Sequence, residues 1–419
     1  MIKCNNILNE DLYINQLSSG VKCYIIPKAG YVEKQAMLTV CCGSADNVYS
    51  LNNRIVQNHE GIAHFLEHKL FEDKDNALFG RFTQLGGSVN AFTTFNQTAY
   101  YVSCIDNFEE NLKLLLNFCQ RPYITDENVE KEKGIISQEI KMYDDTPSWR
   151  AYSNLNAALF GGGALAQNIT GSVESIQGID SKELLSFYHA FYFPANMALI
   201  CVGDIDPEKA ADIAAAHIEH KPVNQIKRGY EMDAADAARG YAELSMPVSM
   251  PLFELGFKET DFDTAPCTRI VSGKLLLDMI AGESSDLYER MYNENLIDDS
   301  FGMDYLSGPF YGVSVFSGSS PDPERVRTHI MNEIGCLRRG KLNRRRFESI
   351  KRKHMGRFIR GFNNIGQIAQ TQSDLYIKGL DIFELMDRFA NITFDEVQER
   401  LSRHFNESES ALSVVKSSV

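Results

Sequence analysis

Hydrophobic and polar positions alternate through VKCYIIP (21–27) and AMLTVCCGS (36–44), which predicts two strands, with a polar loop running on to residue 58. The spacing then changes to a helical one through IAHFLEHKLF. GGSVNAFTTFNQTAYYVSCI (86–105), rich in Thr, Tyr, Phe and Val, predicts two strands joined by a polar turn at Asn96 and Gln97. Two helices follow, FEENLKLLLNFCQ and TDENVEKEKGIISQEIKMYDD, the second with Thr125 or Asp126 as N-cap and acidic residues in its first turn. YFPANMALICVGDID closes the first half as a strand leaving the Phe-Pro kink.

The second half repeats this order at lower fidelity. PLFELGFK (251–258) reads as a strand, IVSGKLLLDMIAGESSDLYERMYN as helical, FYGVSVFSGS as a strand, LNRRRFESIKRKHMGRFIRGF as a long helix and SALSVVKS as a terminal strand. The repeat predicts a duplication: one domain over 1–219, a polar linker over 220–240 and a homologous domain over 241–419. A length of 419 residues agrees, being comfortable as two cores of about 200 residues each.

A hydrophobic content of 44% and a charged content of 23% are those of a globular protein, and no segment approaches the ~18 apolar residues of a membrane helix. MIKCNNILNEDLYINQ has no apolar stretch after its lysine, so a cytoplasmic location is expected. The nine cysteines are odd in number, scattered and without C-x-x-C spacing, which predicts reduced thiols in apolar surroundings. A net charge of -14 argues against nucleic-acid binding and favours neutral or basic partners.

Chemistry concentrates in GIAHFLEHKLFE (61–72). On a helix, His64, Glu67 and His68 share one face, so the two imidazoles can chelate one ion while the glutamate stands beside it. Two imidazoles and a carboxylate suit Zn²⁺ with a position left open, which calls for a third ligand elsewhere. EKEKGIISQEIK offers Glu132 and Glu139, seven residues apart and hence about 10.5 Å along one helix face, and Glu139 is taken as the ligand. Glu67 is then the base for a metal-activated water in peptide hydrolysis. His59 and Glu60 suggest the commoner H-E-x-x-H, but the next histidine is five residues on, so they are left out of the site.

HFLEH is an inverted zinc motif, and the chain resembles the pitrilysin/insulinase family. GSADN, GIAHFLEHKLFE, GGSVNAFTTFNQTAYY, EKEKGIISQEIKMYDDTP and FYFPANMALICVGD carry the resemblance in order along the chain. It implies an α+β fold of two homologous sandwich domains, each a largely antiparallel sheet covered by helices, enclosing a chamber. It implies His64, His68 and Glu139 as ligands, Glu67 as base, Glu132 as an auxiliary carboxylate placed to orient Glu139 or the substrate amine, and Zn²⁺ as cofactor. It also implies that SVNAFT is the edge on which an unfolded peptide adds as a strand, with Asn90, Ala91 and Phe92 nearest the scissile bond.

Two departures bear on partners. Ile350 and Arg357 stand where a second half with its own site would repeat Glu132 and Glu139, so one site per chain is expected. The arginine and tyrosine with which many active relatives grip substrate are not both present, since SFGMDYLSGPFYGVSVF offers Tyr305 and Tyr311 without an arginine. By analogy with the processing peptidases this points to a heterodimer with a related metal-free subunit, a homodimer being the other possibility. The competing reading is a non-catalytic structural or substrate-presenting subunit. FGGGALAQNITGS (160–172) lacks the Gly-Lys of a phosphate loop and reads as a turn. The basic run RRGKLNRRRFESIKRK (338–353) reads as a solvated helix face or a partner surface, and Trp149 as a packed anchor.

Overall fold

The computed structural model describes residues 2–4, 10–75, 77–229 and 240–418. Its strands, in chain order, are β1 (Ile2–Cys4), β2 (Leu12–Gln16), β3 (Lys22–Pro27), β4 (Lys34–Val40), β5 (Val48–Leu51), β6 (Arg54–Gln57), β7 (Gly87–Thr93), β8 (Thr98–Cys104), β9 (Met197–Gly203), β10 (Ile226–Arg228), β11 (Tyr241–Met246), β12 (Leu252–Lys258), β13 (Gly302–Ser307), β14 (Gly312–Ser319) and β15 (Ser410–Ser417). No helix among the described residues is long and apolar enough to cross a membrane.

The duplication is written in the hydrogen-bond ladders. One sheet has the order β1-β2-β3-β9-β4-β8-β7 and another the order β11-β15-β12-β14-β13. β3 runs parallel to β9, and β11 parallel to β15; every remaining neighbour in both orders is antiparallel. The five strands of the second sheet therefore repeat β3, β9, β4, β8 and β7 of the first in order and direction. The fold is α+β, with sheets covered by helices.

The chain forms two compact units that are interleaved along the sequence. The first takes Met1–Ile140, Asn168–Met232 and Ile359–Phe383, the second Lys141–Gln167, Asp233–Phe358 and Glu384–Val419. Each sheet has a face that needs a cover, and the cover comes from the other half of the chain. In the first unit the Ile365–Tyr376 helix lies on β9 and β4, where Ser373 and Thr39 share a buried hydrogen bond of 2.6 Å. In the second, the Pro147–Phe160 helix lies on β12 and β15, and Leu155 and Leu159 pack with Val313, Val315 and Ala411. Gly256 leaves room for that helix, since a Cβ there would meet Leu159 at 2.8 Å.

Three local expectations change. The stretch to residue 58 holds the hairpin β5-β6, which β10 extends into a three-stranded sheet, so the first part of the expected linker is ordered in the first unit. Residues 230–239 of that linker lie outside the described residues. The helical stretch after residue 266 is two helices, Pro266–Ala281 and Asp286–Asn293, because Ser285 caps a new start through Tyr288 N–H. β13, which the pattern does not announce, is an edge strand of the second sheet.

Candidate metal centre

The centre stands on two helices and one strand end of the first unit. The Ile62–Leu70 helix starts at Gly61, whose φ of 86° is left-handed, and a Cβ there would lie 2.4 Å from the carbonyl oxygen of Thr170. Only glycine allows this turn and this approach. Ile62, Phe65 and Leu66 are buried in the core, and the same helix turns His64 and His68 toward Glu139 and Glu132 of the Asp126–Asp144 helix. The latter begins with a reciprocal cap, Thr125 N–H to Asn128 Oδ1 at 2.9 Å and Asn128 N–H to Thr125 Oγ1 at 3.2 Å. Val129, Ile136 and Ile140 anchor it in the core, which fixes the rotation that presents Glu132 and Glu139.

The side chains converge. Nε2 of His64 is 3.6 Å from Oε1 of Glu139, and Nε2 of His68 is 3.4 Å from Oε2. One ligand atom from each of His64, His68 and Glu139 lies within 4.8 Å of the others. Zinc bonds of about 2.0–2.1 Å in a tetrahedron separate neighbouring ligand atoms by roughly 3.3 Å, so the donor set fits such an ion with little adjustment. The rings of His64 and His68 meet edge-on with centroids 4.6 Å apart. Among the described residues this is the group of three or more such side chains close enough to hold a metal.

Glu67, 8% exposed, is held by a residue the sequence reading passed over: the hydroxyl of Thr93, at the end of β7, donates to its Oε2 at 2.6 Å. Glu132, expected beside Glu139 or the substrate, instead accepts from Nδ1 of His68 at 3.1 Å. Burial opposes charge on His68, but the hydrogen bond to Glu132 and the charges of Glu67, Glu139 and Glu132 outweigh it and raise its pKa. Burial likewise opposes charge on Glu132, and the bond and charge of His68, with Lys69 and Glu72, bring its pKa down. Lys69, fully buried beside His68, is the second residue missed, because a lysine next to a motif reads as solvent-facing.

Among the described residues β7 ends its sheet and pairs only with β8, and no strand lies on its other edge. Asn90 is exposed there, and its Oδ1 accepts the N–H of Ala91 at 2.8 Å, while Ala91 and Phe92 are half-buried. His59 is elsewhere, bound to Glu183 at 2.9 Å.

The place on the second unit that topology makes equivalent, where the Pro266–Ala281 helix packs on β13, has different chemistry. Asp278 holds Lys353 at 2.7 Å and His354 at 3.0 Å beside a cavity of about 390 Å³, Ile350 is buried, and Arg357 is exposed. Tyr305 is buried with its hydroxyl on Glu259 at 2.9 Å, and Tyr311 packs against Phe160. Much of the basic run works inside the unit: Arg338 bonds the carbonyl oxygens of Leu401 and His404, Lys351 that of Ile392, and Arg346 that of Asp278. Trp149 packs between Tyr143 and Tyr152. Eight described cysteines are free thiols.

Residues 35–173 match the family described as Insulinase (Peptidase family M16), and residues 178–353 match the Peptidase M16 inactive domain. The chain is 35% identical over 400 residues, 93% of each protein, to YmfH of Bacillus subtilis, described as an uncharacterized zinc protease. It superposes with a TM-score of 0.93 and 28% identity on an M16-like peptidase from Alicyclobacillus acidocaldarius, covering 99% of this chain and all of that one. A protease from Helicobacter pylori, 18% identical, shares the fold with a TM-score of 0.82 over 97% of this chain and 99% of its own. With family matches across both halves and a relative aligned over nearly its whole length, the chain belongs to the M16 (insulinase) peptidase family.

Proposed function

We propose that this protein is a zinc endopeptidase acting on short or unfolded peptides. The observation that carries the reading is the convergence of His64, His68 and Glu139 on one point with Glu67 on the same helix face as both histidines. In this reading those three residues hold Zn²⁺, which supplies Lewis acidity toward the scissile carbonyl. Glu67, one oxygen fixed by Thr93, keeps the other to take a proton from the attacking water and deliver it to the leaving amine. A substrate strand adds to the open edge of β7 through main-chain hydrogen bonds, displacing the Asn90 side chain from the Ala91 N–H. Such binding is tolerant of substrate sequence. The zinc-protease name of the Bacillus relative supports the same assignment.

The reading extends to a partner. Tyr305 is engaged by Glu259, and the β13-β14 hairpin carries no arginine, so this hairpin does not bring an arginine and a tyrosine together to grip peptide. A related metal-free subunit would supply it in a heterodimer.

The test is cleavage of a quenched peptide library by the purified chain, alone and with a related metal-free subunit, beside a Glu67→Gln variant. Expected are zinc retained in the variant, activity lost by at least about 100-fold, and faster cleavage with the subunit. Comparable turnover by Glu67→Gln would give the base role to another group. No cleavage by any combination would favour the structural-subunit reading.

A further inference from the structure

Lys69 follows the second histidine of the motif and is completely buried. A lysine ammonium taken out of water costs several kcal/mol unless it is paired and hydrogen-bonded, and here the partners are specific. Its Nζ lies 2.6 Å from Oε1 of Glu72, donates to the carbonyl oxygen of Asn128 at 3.0 Å, and is 3.6 Å from Oε2 of Glu132. The other oxygen of Glu132 accepts from Nδ1 of His68. The ammonium, the carboxylate and the imidazole form a row that ends at Nε2 of His68, which faces Glu139.

We infer that Lys69 is a positioning residue for the metal centre: by drawing Oε2 of Glu132 to itself it fixes Oε1 on Nδ1 of His68, which holds the proton on that nitrogen and leaves the Nε2 lone pair aimed at the metal. The inference rests on the zinc reading above. Glu132 is 6% exposed and shares Lys69 with Glu72, so a carboxylate there without that cation would turn away from its like-charged neighbour. Lys69 supplies that cation from the same helix as both histidine ligands, and its bond to Asn128 ties this helix to the first turn of the helix that carries Glu132 and Glu139. Partners of this kind typically change metal affinity by about 10- to 100-fold when removed.

The test is the zinc dissociation constant, from competition with a chromophoric chelator, for wild type, Lys69→Met, Glu132→Gln and the double variant. Thermal melts of the metal-free proteins check the fold, and ¹⁵N shifts of the imidazoles report the His68 tautomer. Expected is zinc binding weakened about 10-fold or more by Lys69→Met, a comparable loss in Glu132→Gln, and little further loss in the double variant, because both act through one hydrogen bond. The Nδ1-protonated tautomer of His68 should lose population in each. If Lys69→Met does not fold, Lys69→Gln, which removes the charge and keeps a donor for Asn128, takes its place with the same expectations. Affinity within about threefold of wild type, or losses that add in the double variant, would overturn the inference. A wild type that binds no zinc at all would instead remove the metal reading on which it stands.

Discussion

The hydroxyl of Thr93 lies 2.6 Å from Oε2 of Glu67, joining the last residue of the edge strand β7 to the Ile62–Leu70 helix. The contact fixes both the carboxylate and the strand end from which a bound peptide would approach it. Thr93→Val keeps the shape and removes the donor. The expected outcome is a fall in kcat of about 10-fold, the worth of ~1.5 kcal/mol for a hydrogen bond to a charged group, with zinc content and KM little changed. Steady-state kinetics with metal analysis on the same sample check it.

Glu132 and Glu139 sit on one helix with different partners, Nδ1 of His68 for the first and Nε2 of both histidines for the second. Glu139→Gln should therefore abolish tight zinc binding, whereas Glu132→Gln should retain the metal with affinity reduced by about 10-fold. Calorimetric zinc titration of the two variants separates the roles, and the reverse order would exchange them.

Away from the centre, His404 is buried with Nε2 on the hydroxyl of Ser314 at 2.8 Å, and Arg400 lies between Glu259 and Asp261 beside it. Burial and the Arg400 charge push the His404 pKa down to about 3, against the attraction of Glu259. An unfolded chain takes up this proton near pH 6.5 and the folded chain does not until far lower, so stability is full above that pH and is lost as pH falls toward 3. His404 alone should cost about 2 kcal/mol between pH 6.5 and 4.5. Urea unfolding at the two pH values should show a smaller loss for His404→Gln than for wild type, and equal losses would show that the proton is not excluded.

How much of this was legible in the sequence follows from the range of each signal. His64, Glu67, His68 and Glu139 could be read because helical spacing alone puts each pair on one face, and β4, β8 and β9 because they are short runs rich in apolar and aromatic residues between polar turns. Lys69 and Thr93 could not, since neighbours along a helix point about 100° apart and only the packing of a second element turns Lys69 inward. The Pro147–Phe160 and Ile365–Tyr376 helices look like any amphipathic helix, and nothing local says that each covers a sheet from the other half of the chain. The short strands β5, β6 and β13 have too few apolar residues to stand out from a loop.

The central claim is that His64, His68 and Glu139 hold one zinc ion. Mass-spectrometric metal analysis of the purified chain, stripped and reloaded with stoichiometric Zn²⁺ and then dialysed, tests it directly against the His64→Ala, His68→Ala double variant. The account predicts one zinc per wild-type chain and none retained by the variant, with both folded. Stoichiometric zinc persisting in the variant, or none held by the wild type, would contradict it.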